Sequence, residues 1–360
     1  MEFGLTEEQV LLQDSVGRYL ADHASLDRAR QFADGAEERA ADVCTALAEL
    51  GVSGLIIDEA YGGVGLKMLD AAIVAEQLGG NVTPIAFAAS AVMVPLALQR
   101  AGSEAQKAHW LPLLAAGEAS AGAAVSEAVA AREDARISAS GGTLTGRALF
   151  VLDHAADVYL VADDRRKMHL VEAKARGLTS TRLTSIDKTR HIGELRFEGV
   201  AADPLPGSDD PAVLADVIDA GRIVLAADTL GAAQNMLDQA VAYAGERQQF
   251  GRVIASFQAV KHMCAEMAAR LEPCRAMIWY AAHAFDEVPE ESRLTACHTK
   301  AHLGEVGKFV AKTATEVHGG MGFTDLLGLH YWFKRIGFNR QMLGGPELVR
   351  EEAARLQELV

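Results

Sequence analysis

The chain lacks an apolar run long enough to cross a bilayer. Its longest, Ile85 to Leu98, is interrupted by Pro95 and falls short of the roughly 20 residues that a spanning helix needs, so no membrane partner is expected. Positive charge is also scarce, with 34 Lys and Arg against 49 Asp and Glu and a formal net charge of −15. The densest basic cluster, Asp164-Arg-Arg-Lys167, reads as a turn, and no basic patch remains to attract nucleic acid or anionic lipid. The opening Met1-Glu-Phe-Gly-Leu-Thr-Glu-Glu8 has no basic region followed by an apolar stretch, which makes a cytoplasmic location the expectation. Four cysteines, Cys44, Cys264, Cys274 and Cys297, lie far apart without the paired spacing of zinc sites and read as reduced thiols. His298, His302 and Glu305 share one helix face at i, i+4 and i+7 and could hold a metal, but no second cluster supplies the remaining ligands. A polar helix face is the expectation there, and no metal.

What is present is a chain of 360 residues, 50% hydrophobic, enough for a sizeable core and two or three domains. Residues 1–118 are rich in Ala and Leu and helix-patterned, and Thr6-Glu-Glu-Gln9 begins like a capping box. Gly62-Gly-Val-Gly65 marks a loop; without a strand before it, it is weak evidence for phosphate binding. Residues 119–207 carry short β-type runs at 144–152, 158–162, 168–171 and 193–200, and Pro204, Pro206 and Gly207 close the segment. Helix periodicity then returns over 208–360, with long helices expected at about 212–244, 255–286, 291–318 and 328–358, the lengths of a four-helix bundle. The fold class is thus α+β and multidomain: a helical N-terminal domain (1–118), a central β domain (119–207) and a C-terminal four-helix bundle (208–360).

Two stretches carry chemistry. Gly245-Glu-Arg-Gln-Gln-Phe-Gly-Arg252 places a Phe-Gly turn between two bundle helices and Arg247 at a helix end, with no acid built in beside it downstream. A guanidinium so placed suits an external anion, and its planar fork of donors matches a phosphate; on charge grounds alone, an ordinary solvated arginine near a helix C-terminus explains it as well. Glu316-Val-His-Gly-Gly-Met-Gly322 ends a helix with three glycines in four residues. One would serve a helix C-cap; three allow backbone to approach a ligand closely.

Together these stretches resemble the acyl-CoA dehydrogenase family of flavoproteins, over essentially the whole chain. Further matches are Glu2-Phe-Gly-Leu-Thr-Glu-Glu-Gln9 at the start, Gly51 to Gly65 with Glu76-Gln-Leu-Gly79, Ile186-Asp-Lys-Thr-Arg190 with Leu195 to Val200, and Gln258. The resemblance implies FAD as cofactor and the α,β-dehydrogenation of an acyl-CoA thioester. It assigns Arg247, Phe250 and Gln258 to the pyrophosphate and adenosine end of a neighbouring subunit's FAD, and Gly319 and Gly320 to backbone that approaches it. Glu316 stands where the family usually has glutamine.

The chain departs from the family at the chemistry. Counting from Gly319, the usual base position falls on Leu343; the other position used in the family falls on Gly221, in Asp219-Ala-Gly-Arg222. Neither side chain can accept a proton. Where the family has Trp-x-Thr the chain has Phe150-Val-Leu152, and Ser126-Glu-Ala with Ala130-Ala-Arg-Glu133 replaces Thr-Glu-Pro with Ala-Gly-Ser-Asp. The family's Arg-Asp falls on Lys334-Arg335. Asp219, Glu316 and Glu347 are substitute bases in principle. What would grip a neighbour's flavin is kept, while what would hold the chain's own flavin and base is lost. This pattern resembles a subunit of the actinobacterial heteromeric acyl-CoA dehydrogenases, active in fatty acid or steroid degradation. It implies a second acyl-CoA dehydrogenase-like subunit, an electron-transfer flavoprotein or similar acceptor, and a dimer or dimer-of-dimers. The alternatives are a self-sufficient homomeric dehydrogenase with a relocated base, a flavin-free acyl-CoA-binding or scaffold subunit, and a flavin-dependent oxidase or monooxygenase.

Overall fold

The first helix begins where the sequence signals it. Thr6 Oγ1 accepts from Gln9 N at 3.2 Å and Gln9 Oε1 accepts from Thr6 N at 3.1 Å, so two amides at the start of α1 (Glu7–His23) are satisfied reciprocally. The structure, a computed structural model, describes residues 4–35 and 37–360. Glu2 and Phe3 of the opening stretch, and the first residues of the 1–118 segment, lie outside the described residues. Helices α2 (Leu26–Asp34), α3 (Ala41–Glu49) and α4 (Met68–Gly80) follow, then a π-helical stretch at Phe87–Met93 that runs into α5 (Val94–Ala101), and α6 (Glu104–Ala115). Pro95 is the second residue of α5, directly after the π-helical stretch.

Strand β1 (Ala121–Ala124), the short helix α7 (Ser126–Val129) and strands β2 (Arg136–Ser140), β3 (Thr143–Leu152), β4 (Val158–Ala162), β5 (Met168–Glu172), β6 (Leu178–Leu183), β7 (Ile192–Ala201) and β8 (Asp203–Pro204) come next. Then α8 (Pro211–Glu246) runs to a hairpin of β9 (Gln248–Gln249) and β10 (Arg252–Val253), followed by α9 (Gln258–Glu287), α10 (Pro289–His318), α11 (Leu329–Gln341) and α12 (Pro346–Leu356). The fold is a helical N-terminal region, a central curled sheet and C-terminal helices. Among the described residues no helix is long and apolar enough to cross a membrane.

The chain packs as two compact units, Met1–Ala33 with Ala72–Thr83 and Ile223–Val360, and Asp34–Ala71 with Pro84–Arg222. The second unit holds the sheet, in the order β6-β7-β3-β1-β4-β5-β8, with β2 also paired to β3. Its core is apolar and alternating: Ile137, Leu144, Val151, Tyr159, Phe197 and Val200 are each at most 2% exposed. The run Asp163 to Lys167 is the expected turn, tied by Asp163 Oδ1, which accepts from the backbone of Arg165 and Lys167 at 2.9 Å each. Gly63 is required by packing, since a Cβ there would lie 2.0 Å from Ile57 O.

In the first unit α4 and α8 touch backbone to backbone. A Cβ on Gly79 would stand 2.0 Å from Asp228 O, and one on Gly231 1.8 Å from Glu76 O, so the Glu76-Gln-Leu-Gly79 stretch is a helix-crossing motif. Beside the crossing, Arg335, fully buried, donates to Asp228 Oδ2 at 3.1 Å and to the carbonyls of Val82 and Thr83. The expectation of one helix over 328–358 is corrected: it breaks between α11 and α12. Leu343 and Gly344 both take positive φ (56° and 105°), and Pro346 opens α12. Lys300, buried in α10, stabilises the break by donating Nζ to the carbonyls of Asn339, Arg340 and Gly344 at 2.8–3.1 Å. These are the carbonyls that a helix end leaves without partners.

Two histidines lie buried at one end of the sheet, His154 and His191, with ring centroids 5.8 Å apart. Burial first, then Arg182 and His154, push His191 down to about 4; Asp187 opposes weakly, and His154 is lowered as well, chiefly by burial. The unfolded chain takes up this proton near pH 6.5, the folded chain only near 4. Between those values the unfolded state binds more protons, so this contribution is full above about pH 6.5 and is lost as pH falls to about 4. For His191 the loss is at most about 3 kcal/mol. Thermal midpoints measured across this window should drop less steeply in His191→Asn than in the native chain; parallel curves would contradict the assignment.

Candidate functional site

Arg247 follows the last residue of α8. Its N–H donates to Tyr243 O at 2.8 Å and its carbonyl accepts from Ile254 N at 2.7 Å, which pins the two ends of the hairpin together. Gln248 pairs with Val253 and Gln249 with Arg252, leaving Phe250-Gly251 as a two-residue turn with φ of 52° and 75°. Such a turn matches the twist of the strands but normally uses Asn or Gly. Phe250 accepts that conformation at a cost of about 1 kcal/mol while its ring is 92% exposed. The ring meets Phe257 edge-on at 6.2 Å, and the Arg252 guanidinium covers Phe257 at 4.1 Å. Gln258 opens α9 directly after Phe257 and is exposed. Among the described residues no acidic group pairs with the exposed Arg247 guanidinium.

The glycine stretch reaches the same end of the bundle. The ring of Tyr243, one turn before Arg247, lies against His318, one residue before Gly319, with centroids 4.7 Å apart. His318 is buried and its Nδ1 lies 2.7 Å from Ala314 O, so the ring is fixed. Gly319 takes φ 58°, and a Cβ on Gly319 or Gly320 would meet nothing within 4 Å. Gly322 is needed for packing instead: its Cβ would stand 2.7 Å from Thr315 O. Glu316, Gly319 and Gly320 are all exposed, as are Arg247, Phe250 and Gln258. The tyrosine–histidine contact was not read from the sequence, although Tyr243 and His318 each lie within four residues of the quoted motifs.

In the sheet unit, β3 bulges between Ala148 and Val151, and Phe150 sits there at φ 51°. A bulge re-aims a side chain, and Phe150 is indeed partly exposed. Helix α7 locks the bulge: Ser126 Oγ donates to Phe150 O at 3.1 Å, and Glu127 Oε1 accepts from Leu149 N at 3.0 Å. Arg132 then lies over the Phe150 ring at 4.9 Å, donates to Ala130 O at 3.2 Å and stands 3.5 Å from Glu127. Burial raises the Glu127 carboxyl, against the Leu149 amide and Arg132. Leu152 is buried.

At the positions assigned to a base, Leu343 is buried and Gly221 lies inside α8, also buried. Of the substitute acids, Asp219 is buried 2.9 Å from the Arg222 guanidinium. Glu347 pairs with Arg340 at 3.1 Å, and its carboxyl is held below the usual range, first by its own backbone amide at the start of α12 and also by Arg340. A lowered carboxylate is a poor general base. Glu305 pairs with the same arginine at 2.6 Å.

An exposed guanidinium with no acidic partner among the described residues and an open glycine loop thus lie at one end of the helical unit. Family models for the acyl-CoA dehydrogenase N-terminal domain and C-terminal domain match residues 6–118 and 212–356. The chain belongs to the acyl-CoA dehydrogenase family, whose members are FAD-dependent enzymes. It is 28% identical to acyl-CoA dehydrogenase IpdE2 of Mycolicibacterium smegmatis over 358 residues, 98% of this chain and 99% of the relative. A structure of the Tcur3481-Tcur3483 steroid ACAD, a variant, aligns over 98% of both chains with a TM-score of 0.88 and 26% identity. The ChsE4-ChsE5 complex of Mycobacterium tuberculosis shares the fold, at a TM-score of 0.91 and 24% identity over the full length of both chains.

Because Gly322 packs against Thr315 and His318 at the end of α10, Gly322→Ala should displace the turn between, which carries Gly319 and Gly320. Hydrogen exchange of the amides at 319–324 should accelerate by about tenfold, with a midpoint loss matching about 1–3 kcal/mol of overpacking. Native-like protection at these amides would show that the loop tolerates the methyl group.

Proposed function

We propose that this chain is an FAD-dependent acyl-CoA dehydrogenase subunit that completes a partner chain's FAD site and lacks a catalytic glutamate of its own. The observation that carries the reading is the contrast between two sets of positions. Arg247 is exposed with no acidic partner among the described residues, beside two open glycines, whereas the base positions hold buried Leu343 and Gly221. The clamp end fits an anionic diphosphate. Arg247 would hold the pyrophosphate, Phe250 and Gln258 the adenosine end, and Gly319 and Gly320 leave room for backbone to approach. A strained turn that keeps an aromatic ring in solvent supports a binding role for Phe250. Glu316 opposes this end with like charge. The chain's own half fits less well, because Leu152 offers no hydroxyl and Arg132 is engaged by Glu127, Ala130 O and Phe150.

The chemistry that bound FAD supplies is hydride acceptance from the β-carbon of an acyl thioester. The α-proton requires a carboxylate within hydrogen-bond reach, and on this reading the partner provides it. This chain's task is to bind and orient. Its division into 1–118, 119–207 and 208–360 belongs to the same proposal, supported by helices to Ala115, strands from Ala121 to Pro204 and helices from Pro211. So do a cytoplasmic location, a dimer or dimer-of-dimers, an acyl-CoA substrate, and an electron-transfer flavoprotein or similar acceptor. A steroid ACAD named as a pair, Tcur3481-Tcur3483, supports a two-component assembly and a steroid-derived acyl group.

Purified alone, the chain should hold less than one flavin per chain by absorbance and show no α-proton exchange with acyl-CoA. Co-expression with an acyl-CoA dehydrogenase chain bearing the glutamate and the Trp-x-Thr strand should restore both. One FAD per chain and turnover by the isolated chain would instead favour a self-sufficient enzyme, with the exposed Glu316 as the base to test.

In the assembled oligomer, Arg247→Ala should weaken FAD retention by roughly 1.5–3 kcal/mol, the worth of a charged hydrogen bond to pyrophosphate. Equilibrium dialysis of the flavin reads this directly, and an unchanged affinity would remove Arg247 from the clamp.

A further inference from the structure

The hairpin that carries Phe250 is fastened firmly at its root and lightly at its tip. At the root Arg247 N donates to Tyr243 O at 2.8 Å, and Ile254 N donates to Arg247 O at 2.7 Å. The strands beyond, Gln248–Gln249 and Arg252–Val253, have two residues each, too few for a hairpin to hold itself. At the tip Phe250 takes a φ of 52°, a conformation that a residue other than glycine keeps where its surroundings hold it. Its ring is 92% exposed and meets the ring of Phe257 at 6.2 Å and 78°. Phe257 stands directly before α9, half-buried, and its carbonyl accepts from Lys261 N at 3.1 Å, so it belongs to the bundle rather than to the hairpin. Arg252 reaches the same ring from the second strand. Its backbone pairs with Gln249, and its guanidinium lies over Phe257 at 4.1 Å. The side chain is exposed, and among the described residues no acidic group pairs with it, so the aromatic face is what engages it.

We propose that Arg252 is a positioning residue for the Phe250 ring and acts through Phe257. Arg252 lies on Phe257 and Phe257 meets Phe250, which ties the hairpin tip to the start of α9. With the tip held, an exposed ring on a strained residue keeps one place in solvent, ready for a flat ligand. Without the tie the tip pivots about the hydrogen bond between Arg247 and Ile254, and the ring has to be ordered when the ligand arrives, which lowers affinity. The inference rests on the reading of Phe250 as a contact for the adenosine end of a partner's FAD, and it adds how the ring is ordered beforehand. A guanidinium flat on a ring also leaves its N–H edge free. Direct contact of Arg252 with the diphosphate is therefore the competing role, and the state of Phe257 separates the two: a residue that acts through the ring loses its effect when the ring is removed.

The test is a double-mutant cycle read in two ways. In the full chain without flavin, hydrogen exchange of the amides at 248–253 should accelerate by about twofold to fivefold in Arg252→Gln, the size of an exposed cation–π contact, with the thermal midpoint unchanged. Phe257→Leu should accelerate it as well, Phe257→Tyr, which keeps the ring, should not, and adding Arg252→Gln to Phe257→Leu should change nothing further. In the assembled oligomer, equilibrium dialysis of FAD should show losses of about the same factor in the same pattern. Native exchange in Arg252→Gln overturns the proposal. So does a loss of FAD affinity that Arg252→Gln causes equally with and without the Phe257 ring, since the guanidinium then touches the ligand itself. Loosened amides with unchanged FAD affinity also overturn it, and leave the clamp standing where Arg247→Ala still weakens FAD. If Arg247→Ala has no effect either, the clamp reading fails and this inference fails with it.

Discussion

The buried pair of Arg335 and Asp228 is the constraint on which the order of the helical unit rests. Its guanidinium is sealed from solvent and divides its donors between Asp228 Oδ2 and the carbonyls of Val82 and Thr83, while Asn339 Nδ2 donates to Asp228 Oδ1 at 2.6 Å. One side chain thereby fastens α11 to α8 and to the segment after α4. Removing either partner of such a pair leaves an uncompensated buried charge, typically at a cost of about 3–5 kcal/mol. The glycine crossing of α4 and α8 sits on the same residue, since Gly79 abuts Asp228 O. Helix spacing and charge placement are therefore set together.

This arrangement accounts for a departure that the sequence posed without explaining. Where the family pattern reads Arg-Asp, the chain reads Lys334-Arg335, a reversal of sign in a helix that must be buried. A lone buried arginine would be prohibitive. Asp228, more than a hundred residues earlier, supplies the opposite charge, and nothing in the local motif could have announced it.

What the sequence made legible was what local chemistry decides. The capping box at Thr6, the Phe-Gly turn, the turn at 163–167 and strands β3, β4, β5 and β7 follow from local patterning within a few residues. Helix periodicity leads to one helix over 328–358; the break comes from paired positive φ values and from Lys300, which reaches the turn from another helix. Strands β1, β2, β6 and β8 are not among the runs that the sequence signals, for a related reason. β1 is Ala-Gly-Ala-Ala, without β-branched residues, and β6 has no buried residue, so neither shows the alternation on which strand reading depends. Arg247 and the glycines stand out in the sequence itself, and Phe250 and Gln258 through the resemblance to the family. Their gathering at one bundle end depends on the Tyr243–His318 contact, which joins residues that are distant in the chain.

The turn between α11 and α12 does not depend on a carboxylate at position 343. Three backbone carbonyls on Lys300 and the freedom of Gly344 hold the turn, and none of these bonds consults the side chain at position 343. A leucine there buries its apolar surface and contributes stability that a carboxylate, which must be desolvated or paired, would not. Arg340 is already engaged by Glu305 and Glu347, so it does not call for an acid at 343. The residues proposed as a clamp, by contrast, are exposed and take little share in the core: a guanidinium with no acidic partner among the described residues, a ring in solvent and two open glycines. Nothing in the packing of this chain requires them. On the proposed reading, stability sets no obstacle to a leucine at 343, and a use for these exposed groups beyond this chain's own core is the physical argument for a second subunit.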